Sequence, residues 1–138
     1  MTVSRETQLG TISISNLLYA QIIARGFEQE ACRERIWPAT RKGRLISGGQ
    51  KLNLSEFASH IDVDNDFAEN SVDLEFSVIV KFGASIRSLT DQLANYVAAA
   101  VEEKTERKPS QIKIKIAGVK SRQVARRNLE VIKRYGIE

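Results

Sequence analysis

The residues best suited to metal chemistry in this sequence are the alternating acids Asp62, Asp64 and Asp66. Acidic ligands at the first, third and fifth positions open a calcium-binding loop, which also needs glycine at the sixth position and glutamate at the twelfth. Here those two positions hold Phe67 and Asp73, which suit neither the sharp turn nor bidentate coordination. The segment is therefore interpreted as a solvated acidic loop without a metal.

The sequence also lacks the patterns expected of a catalytic nucleophile or a phosphate-binding loop. Cys32 is the only cysteine and His60 the only histidine, and no local pattern pairs them as a nucleophile with its base. Residues 43–49 have glycines near phosphate-loop spacing, but the lysine and hydroxyl residue that should follow are absent. We predict no catalytic residue, no metal site and no cofactor, and interpret the chain as a non-enzyme, with an enzyme as a minor alternative.

The distribution of charge points instead to binding. The 138 residues carry a net charge of +4, but residues 104–138 hold 11 Lys or Arg and only 3 acids. Such asymmetry is typical of a protein with an acidic partner, although a basic helix that only aids solubility is equally compatible with it. The candidate partner-binding residues are the cations of the C-terminal region: Lys113, Lys115, Arg122, Arg126, Arg127, Lys133 and Arg134.

Two strands and two amphipathic helices are expected to position these cations. Residues 72–82 and 112–116 alternate apolar and polar side chains, the period of a strand with one buried face. Residues 16–31 and 86–104 repeat apolar residues at helical spacing, and Ser85 is a suitable N-cap for the second helix. Shorter elements are predicted as strands at 10–15 and 36–38 and as a helical turn at 55–60.

The basic segment 120–135 is predicted to be a helix, because Val124, Val131 and Ile132 share one side of a helical projection. Gly83 and Gly118 are interpreted as structural turns after the two strands. The expected fold class is α/β (α+β), with a small mixed sheet from two βα units, two packed amphipathic helices and a basic C-terminal helix. The expected division is an α/β domain at 1–119 and the basic helix at 120–138.

The order of these segments resembles the alkaline shock protein family, also described as the envelope stress response family of Gram-positive bacteria. The resemblance is strongest at residues 72–86, where an alternating strand ends in an aromatic residue and glycine before an apolar helix start. Residues 10–15, 97–105 and 112–119 match further family segments in the same order. One departure is residues 35–38, which read Arg-Ile-Trp-Pro where the family usually has a Gly-Val pair.

The resemblance implies a cytoplasmic α/β domain without known catalysis that serves cell-envelope homeostasis. Some members of the family act at the membrane through a membrane-anchored partner, and some self-assemble. We therefore expect a non-catalytic adaptor or scaffold, peripheral to the membrane through its partner. The expected partners are a protein, a membrane-anchored one included, and a second copy in a homo-oligomer.

Two alternatives stay open at this point. One is nucleic-acid binding through the basic C-terminal region, although the lysine strand at 112–116 lacks interleaved aromatic residues for base stacking. The other is direct docking on anionic lipid through residues 120–135. No apolar segment reaches the length of a membrane span or a signal peptide, which favours a cytoplasmic location.

Overall fold

The structure is a computed structural model that describes residues 14–46, 53–66, 68–120 and 124–135, with only the backbone described at 14–15 and 124–128. Within these ranges the elements follow one another as α1 (Ile14–Phe27), β1 (Ile36–Ala39), α2 (Leu54–Ser59), β2 (Asp62–Asp66), β3 (Ser71–Lys81), α3 (Ile86–Thr105), β4 (Lys108–Lys120) and β5 (Val124–Arg134). The predicted mixture of α and β structure is confirmed.

The five strands of the described residues form one mixed sheet. Strands β3 and β4 are parallel neighbours, which is the arrangement expected of two strands joined by a crossover helix, here α3. Strand β5 pairs antiparallel with β4 at one edge. At the other edge β2 and then β1 pair antiparallel along successive parts of β3, and Pro38 is tolerated in β1 because its missing N–H lies in an edge strand.

The hydrophobic core lies between the sheet and its helices. Alternate residues of β3 point toward the helices, and Leu74, Phe76 and Val78 are at most 1% exposed. The isoleucines of β4 are completely buried beside them. Ile23 of α1 and Leu93 of α3 close the core from the opposite side. The inward rows predicted for the two parallel strands are therefore confirmed except at Phe82, which is 68% exposed.

Helix α3 begins where the sequence predicts. The Ser85 Oγ accepts a hydrogen bond from the Ser88 N–H at 3.1 Å, which satisfies one of the free donors at the helix start. The chain reaches this cap through Gly83, whose φ of +89° is accessible to glycine at little cost. The turn after β3 therefore fixes where α3 starts.

The C-terminal segment is a strand, and the prediction of a basic helix at 120–135 is wrong. Strand β5 pairs with β4 from Val124 opposite Lys120 to Arg134 opposite Gln111. The free edge of β4 offers hydrogen-bonding partners to the backbone of β5. This pairing stabilises a strand more than the helical spacing of the apolar residues stabilises a helix.

Other predicted elements differ in detail. The acidic segment at 62–66 is β2 and not a loop, because the edge of β3 supplies a partner for its backbone. Gly118 is not a turn: it is buried inside β4, where the register shifts, and the strand continues to Lys120. The strand predicted at 10–15 lies mostly outside the described residues, and its last two residues begin α1. The short strand at 36–38 and the helical turn at 55–60 are confirmed as β1 and α2.

Candidate functional site

Helices of the described residues cover one face of the sheet, and the opposite face, called the open face below, carries most of the polar strand residues. The alternation of β3 and β4 requires this division, because a strand that buries every second residue turns the others to the other side. Asp73 and Glu75 of β3 lie on the open face beside Lys113 and Lys115 of β4, and all four are partly exposed. Two of the predicted partner-binding residues, Lys113 and Lys115, are therefore brought together there.

Ion pairs between neighbouring strands order this part of the open face. The Lys115 Nζ lies 3.2 Å from Glu75 Oε2, and the Lys113 Nζ lies 3.5 Å from Glu130 Oε1. The Ser110 hydroxyl donates a hydrogen bond to Asp73. Partly exposed pairs of this kind stabilise a fold by about 0–1 kcal/mol each, so their main effect is to neutralise the two lysines. The residues Asp73, Glu75, Lys113, Lys115 and Glu130 are called the charged strip.

Of the other predicted cations whose side chains are described, Lys133 lies on the opposite face from the charged strip and Arg134 lies on the open face beside Gln111. Lys133 is on the helix-covered side of β5, where its ammonium group pairs with Asp91 of α3. Arg134 is exposed, and its Nε donates to Gln111 Oε1 at 3.2 Å. The backbones of Arg126 and Arg127 lie in β5, and Arg122 lies outside the described residues. Among the predicted cations with described side chains, Lys133 is therefore separated from Lys113, Lys115 and Arg134, which share the open face.

The turn that follows β1 lies against the open face. A Cβ on Gly43 would lie 3.4 Å from the carbonyl oxygen of Ala117 in β4, and its φ of +92° also favours glycine. Arg41 anchors the turn, because its Nη2 lies 2.7 Å from Asp62 Oδ1 and its backbone N–H donates to His60 Nδ1 at 3.3 Å. His60 therefore has a structural role as the acceptor for the Arg41 N–H. The acids of the predicted loop lie in the edge strand β2.

Beyond this turn the open face ends in a cleft lined by Glu34, Trp37, Lys81, Phe82 and Lys120, called the aromatic corner. Lys81 and Lys120 are opposite each other in the parallel register, so both side chains leave the same face. The Lys120 Nζ lies 4.8 Å from the centre of the Trp37 ring, within range of a cation–π interaction. Phe82 is 68% exposed, the highest value among the exposed large apolar side chains of the described residues.

Sequence reasoning did not find the aromatic corner, because its residues come from three separate segments. It placed Phe82 in the buried row of β3, but β3 ends at Lys81 and the following turn leaves Phe82 in solvent. Trp37 was noted only as a departure from the family pattern. One sequence signal could have indicated part of it. Two parallel strands joined by one crossover helix end at the same edge of the sheet, so Lys81 and Lys120, the last residues of β3 and β4, are expected to lie side by side.

Burial raises the pKa of three ionisable groups, which favours their neutral forms. Burial raises the pKa of the Cys32 thiol, and the nearby Arg35 only partly opposes this effect. Burial also raises the pKa of Tyr135, and the carboxylate of Asp91 raises it further. The pKa of Tyr19 is raised by burial, against smaller lowering effects from Arg107 and Thr105. A buried, protonated thiol is a poor nucleophile, so Cys32 is not activated for covalent chemistry.

In the part of the chain that the structure describes, no three His, Cys, Asp or Glu side chains converge so that they could hold a metal ion. Among the described helices, none combines the length and the apolar character needed to cross a bilayer. What the described residues offer is therefore a surface: a charged strip and an aromatic corner on a sheet closed from the other side.

These features define a small α+β domain with one helix-covered face and one charged face. Comparison with known protein families then identifies its family. The sequence profile of the alkaline shock protein 23 family, described as having a cell envelope-related function, matches residues 42–121. This is more than half of the chain, and the chain belongs to that family. The resemblance seen in the sequence is confirmed, and the family is not known as an enzyme family. Comparisons with curated proteins and with solved structures gave no match.

Proposed function

We propose that the protein is a non-catalytic adaptor or scaffold that serves cell-envelope homeostasis from the cytoplasm through protein–protein contacts. The observation that carries this proposal is the asymmetry of the sheet. One face is closed by α1 and α3, whereas the other presents ordered charges, an exposed Phe82 and a half-buried Trp37. Aromatic side chains beside complementary charges are typical of protein-recognition surfaces. The cell envelope-related function of the family supplies the cellular setting.

The partner that we propose is a protein, and a membrane-anchored one would hold this chain at the envelope. The charged strip presents both signs of charge in alternation, which suits a protein surface better than a uniformly negative polyanion. Lys113 and Lys115 each already lie beside a glutamate, Glu130 and Glu75 respectively. A phosphate backbone or an anionic membrane would have to compete with these carboxylates, which weighs against nucleic acid and lipid as the partner.

Self-association through the sheet edges is a second part of the proposal. Within the described residues β5 is a basic edge strand with Leu129 47% exposed and Ile132 39% exposed, and β2 is an acidic edge strand on the opposite side of the sheet. Unpaired strand edges are templates for the strand of another chain. An acidic edge meeting the basic edge of a second copy would give a head-to-tail contact. Light scattering over a range of concentration and salt should show oligomers that dissociate as salt is raised, and a strictly monomeric protein would contradict this part.

The adaptor role can be tested in the source organism with the tagged full-length protein. We expect recovery of a specific protein at low and moderate salt that survives nuclease treatment. Replacing Lys113 and Lys115 together by glutamine should weaken this recovery and sensitise cells to cell-wall damage. The matched control replaces Arg87 and Lys104, two exposed cations of α3, by glutamine, and should leave recovery and growth unchanged.

Three results would count against the proposal. If only nucleic acid were recovered and were lost with salt, the nucleic-acid alternative would replace it. If the protein bound anionic vesicles with no protein partner, direct lipid docking would replace it. If the strip and control variants behaved alike in recovery and in growth, the charged strip would not be the interface.

A further inference from the structure

We propose that the aromatic corner binds an acidic segment of a partner protein in which a carboxylate stands next to an apolar side chain. This inference rests on the proposed adaptor role and names the part of the open face that recognises the partner. It depends on three features of the corner: unmatched positive charge, an exposed apolar surface and a rigid backbone.

The positive charge of the aromatic corner comes from Lys81 and Lys120. They lie opposite each other on parallel strands, and within the described ranges neither forms an ion pair. This distinguishes them from Lys113 and Lys115 of the charged strip, whose carboxylate partners lie on neighbouring strands. Two adjacent ammonium groups repel each other, and an incoming carboxylate would relieve that repulsion.

The apolar surface comes from Phe82 and Trp37. The exposed phenylalanine and the half-buried tryptophan line the same cleft, so a ligand in it would meet an apolar surface. The contact of Lys120 with the Trp37 ring keeps the ammonium group at the border between the apolar and charged halves. A ligand that places a carboxylate next to an apolar side chain matches this arrangement.

The backbone holds the aromatic corner in place before any ligand arrives. The Phe82 N–H donates to the carbonyl oxygen of Lys120 at 2.8 Å, and the Lys81 N–H donates to that of Arg35 at 2.8 Å. The Ala84 N–H closes the turn by donating to the Lys81 carbonyl at 3.0 Å. A preformed site loses less conformational entropy on binding, so even a short segment can be recognised.

Lysines beside aromatic rings also suit single-stranded nucleic acid, on which bases stack. Two observations favour a peptide. Glu34 lines the cleft itself, and the charged strip on the same face carries Asp73, Glu75 and Glu130. A phosphodiester chain has a negative charge at every step, so it would place a charge near Glu34 within the cleft and near Asp73 if it continued along the open face. A peptide can place its carboxylates only where the lysines are.

Trp37 is the only tryptophan of the chain, so its fluorescence reports directly on the aromatic corner. The probe is an acetylated and amidated hexapeptide that alternates glutamate and leucine, titrated into the full-length protein. We expect a saturable change in Trp37 emission. The same peptide with glutamine in place of glutamate should bind about tenfold more weakly, since two surface ion pairs of ordinary strength are lost. A six-nucleotide oligothymidylate should bind more weakly than the acidic peptide.

Variants measured by calorimetry separate an effect specific to the aromatic corner from a general loss of positive charge. Replacing Lys81 and Lys120 together by glutamine should weaken peptide binding about tenfold, and Phe82→Ser should also weaken it. The matched control, Arg87→Gln with Lys104→Gln at two exposed positions of α3, should bind the peptide as the parent does. Circular dichroism checks that all variants are folded, which is expected because both corner lysines and Phe82 are at least partly exposed.

The inference is overturned if the acidic peptide gives no saturable change, if the control loses as much affinity as the corner variant, or if the oligonucleotide binds more tightly. Its failure can be distinguished from failure of the adaptor role. A cellular partner that is still recovered in full with the Lys81 and Lys120 variant would reject the aromatic corner and leave the adaptor role standing. Peptide binding at the corner without any specific cellular partner would reject the adaptor role.

Discussion

Reversing the charge of Lys133 tests whether β5 is docked on the helices through this side chain. In Lys133→Glu the pair with Asp91 of α3 is replaced by two carboxylates at close range. Loss of a surface ion pair costs about 0.5 kcal/mol. The new repulsion adds about 1 kcal/mol, because the Lys133 and Asp91 side chains are 34% and 41% exposed and solvent weakens their interaction. The free energy of unfolding should therefore fall by about 1.5 kcal/mol.

Urea unfolding followed by circular dichroism measures this loss. With a slope of about 2 kcal/mol per molar urea, the midpoint should fall by about 0.7 M. Arg134→Glu is the matched control, since it makes the same charge change one residue away on the opposite, exposed side of β5. Its effect should stay within about 0.5 kcal/mol. The exchange of Asp91→Lys with Lys133→Glu should restore most of the stability, because it recreates an ion pair.

The reasoning would be refuted if Lys133→Glu and Arg134→Glu lowered the midpoint equally, because adjacent strand residues face opposite sides and only one of them can reach α3. Failure of the exchange variant to recover would also reject the ion pair as the cause. In that case the fall in the free energy of unfolding would have to come from placing glutamate at position 133 of β5, whatever its contact with Asp91.

Three further predictions concern the core and the buried ionisable groups. Ile114→Ala should lower the free energy of unfolding by about 2–5 kcal/mol, since Ile114 is completely buried; Ile132→Ala, at a side chain 39% exposed, should cost clearly less in the same urea titration. The Cys32 thiol should react with an aromatic disulfide reagent only after unfolding, so rapid reaction of the native protein would contradict its burial. Stability should fall as pH rises above about 10, because Tyr19 and Tyr135 have raised pKa values and the folded state keeps protons that the unfolded state has already lost. Urea midpoints at pH 8 and pH 11 measure this loss, and Tyr135→Phe should reduce it.

The centre of the fold could be predicted because local and long-range preferences agree there. Residues 72–82 and 112–116 alternate with the period of two that a half-buried strand needs, broken only at Ile79, and apart from Phe82 their apolar rows are buried on the predicted side. The helix between them has a serine cap, an apolar stripe and a defined end. The parallel pairing then follows from the crossover that this helix makes.

The edges of the sheet could not be predicted, because pairing with a neighbour decides their structure. Strand β5 contains arginine, glutamate, lysine and leucine, all good helix formers, and has apolar residues on both faces, so its period was ambiguous. Strand β2 is built from aspartate and asparagine, which are uncommon in strands, and Val63 alone packs toward the core. In both cases the edge of a central strand, β4 for β5 and β3 for β2, supplied the backbone hydrogen bonds, and the local sequence does not indicate this pairing.

The sheet separates stability from recognition, so the aromatic corner is freer to change than the helix-covered face. The residues that the family profile matches begin at 42, so they include Lys81, Phe82 and Lys120 but not Trp37 or Glu34. The helix-covered face has to keep its packing, because each buried side chain touches several others and a change of volume costs stability. The open face has no such constraint at the corner, where Phe82 is mostly in solvent. Replacement of Trp37 can therefore alter what the corner binds while its neighbour Ile36 stays buried in the core, and we expect partner choice to follow Trp37.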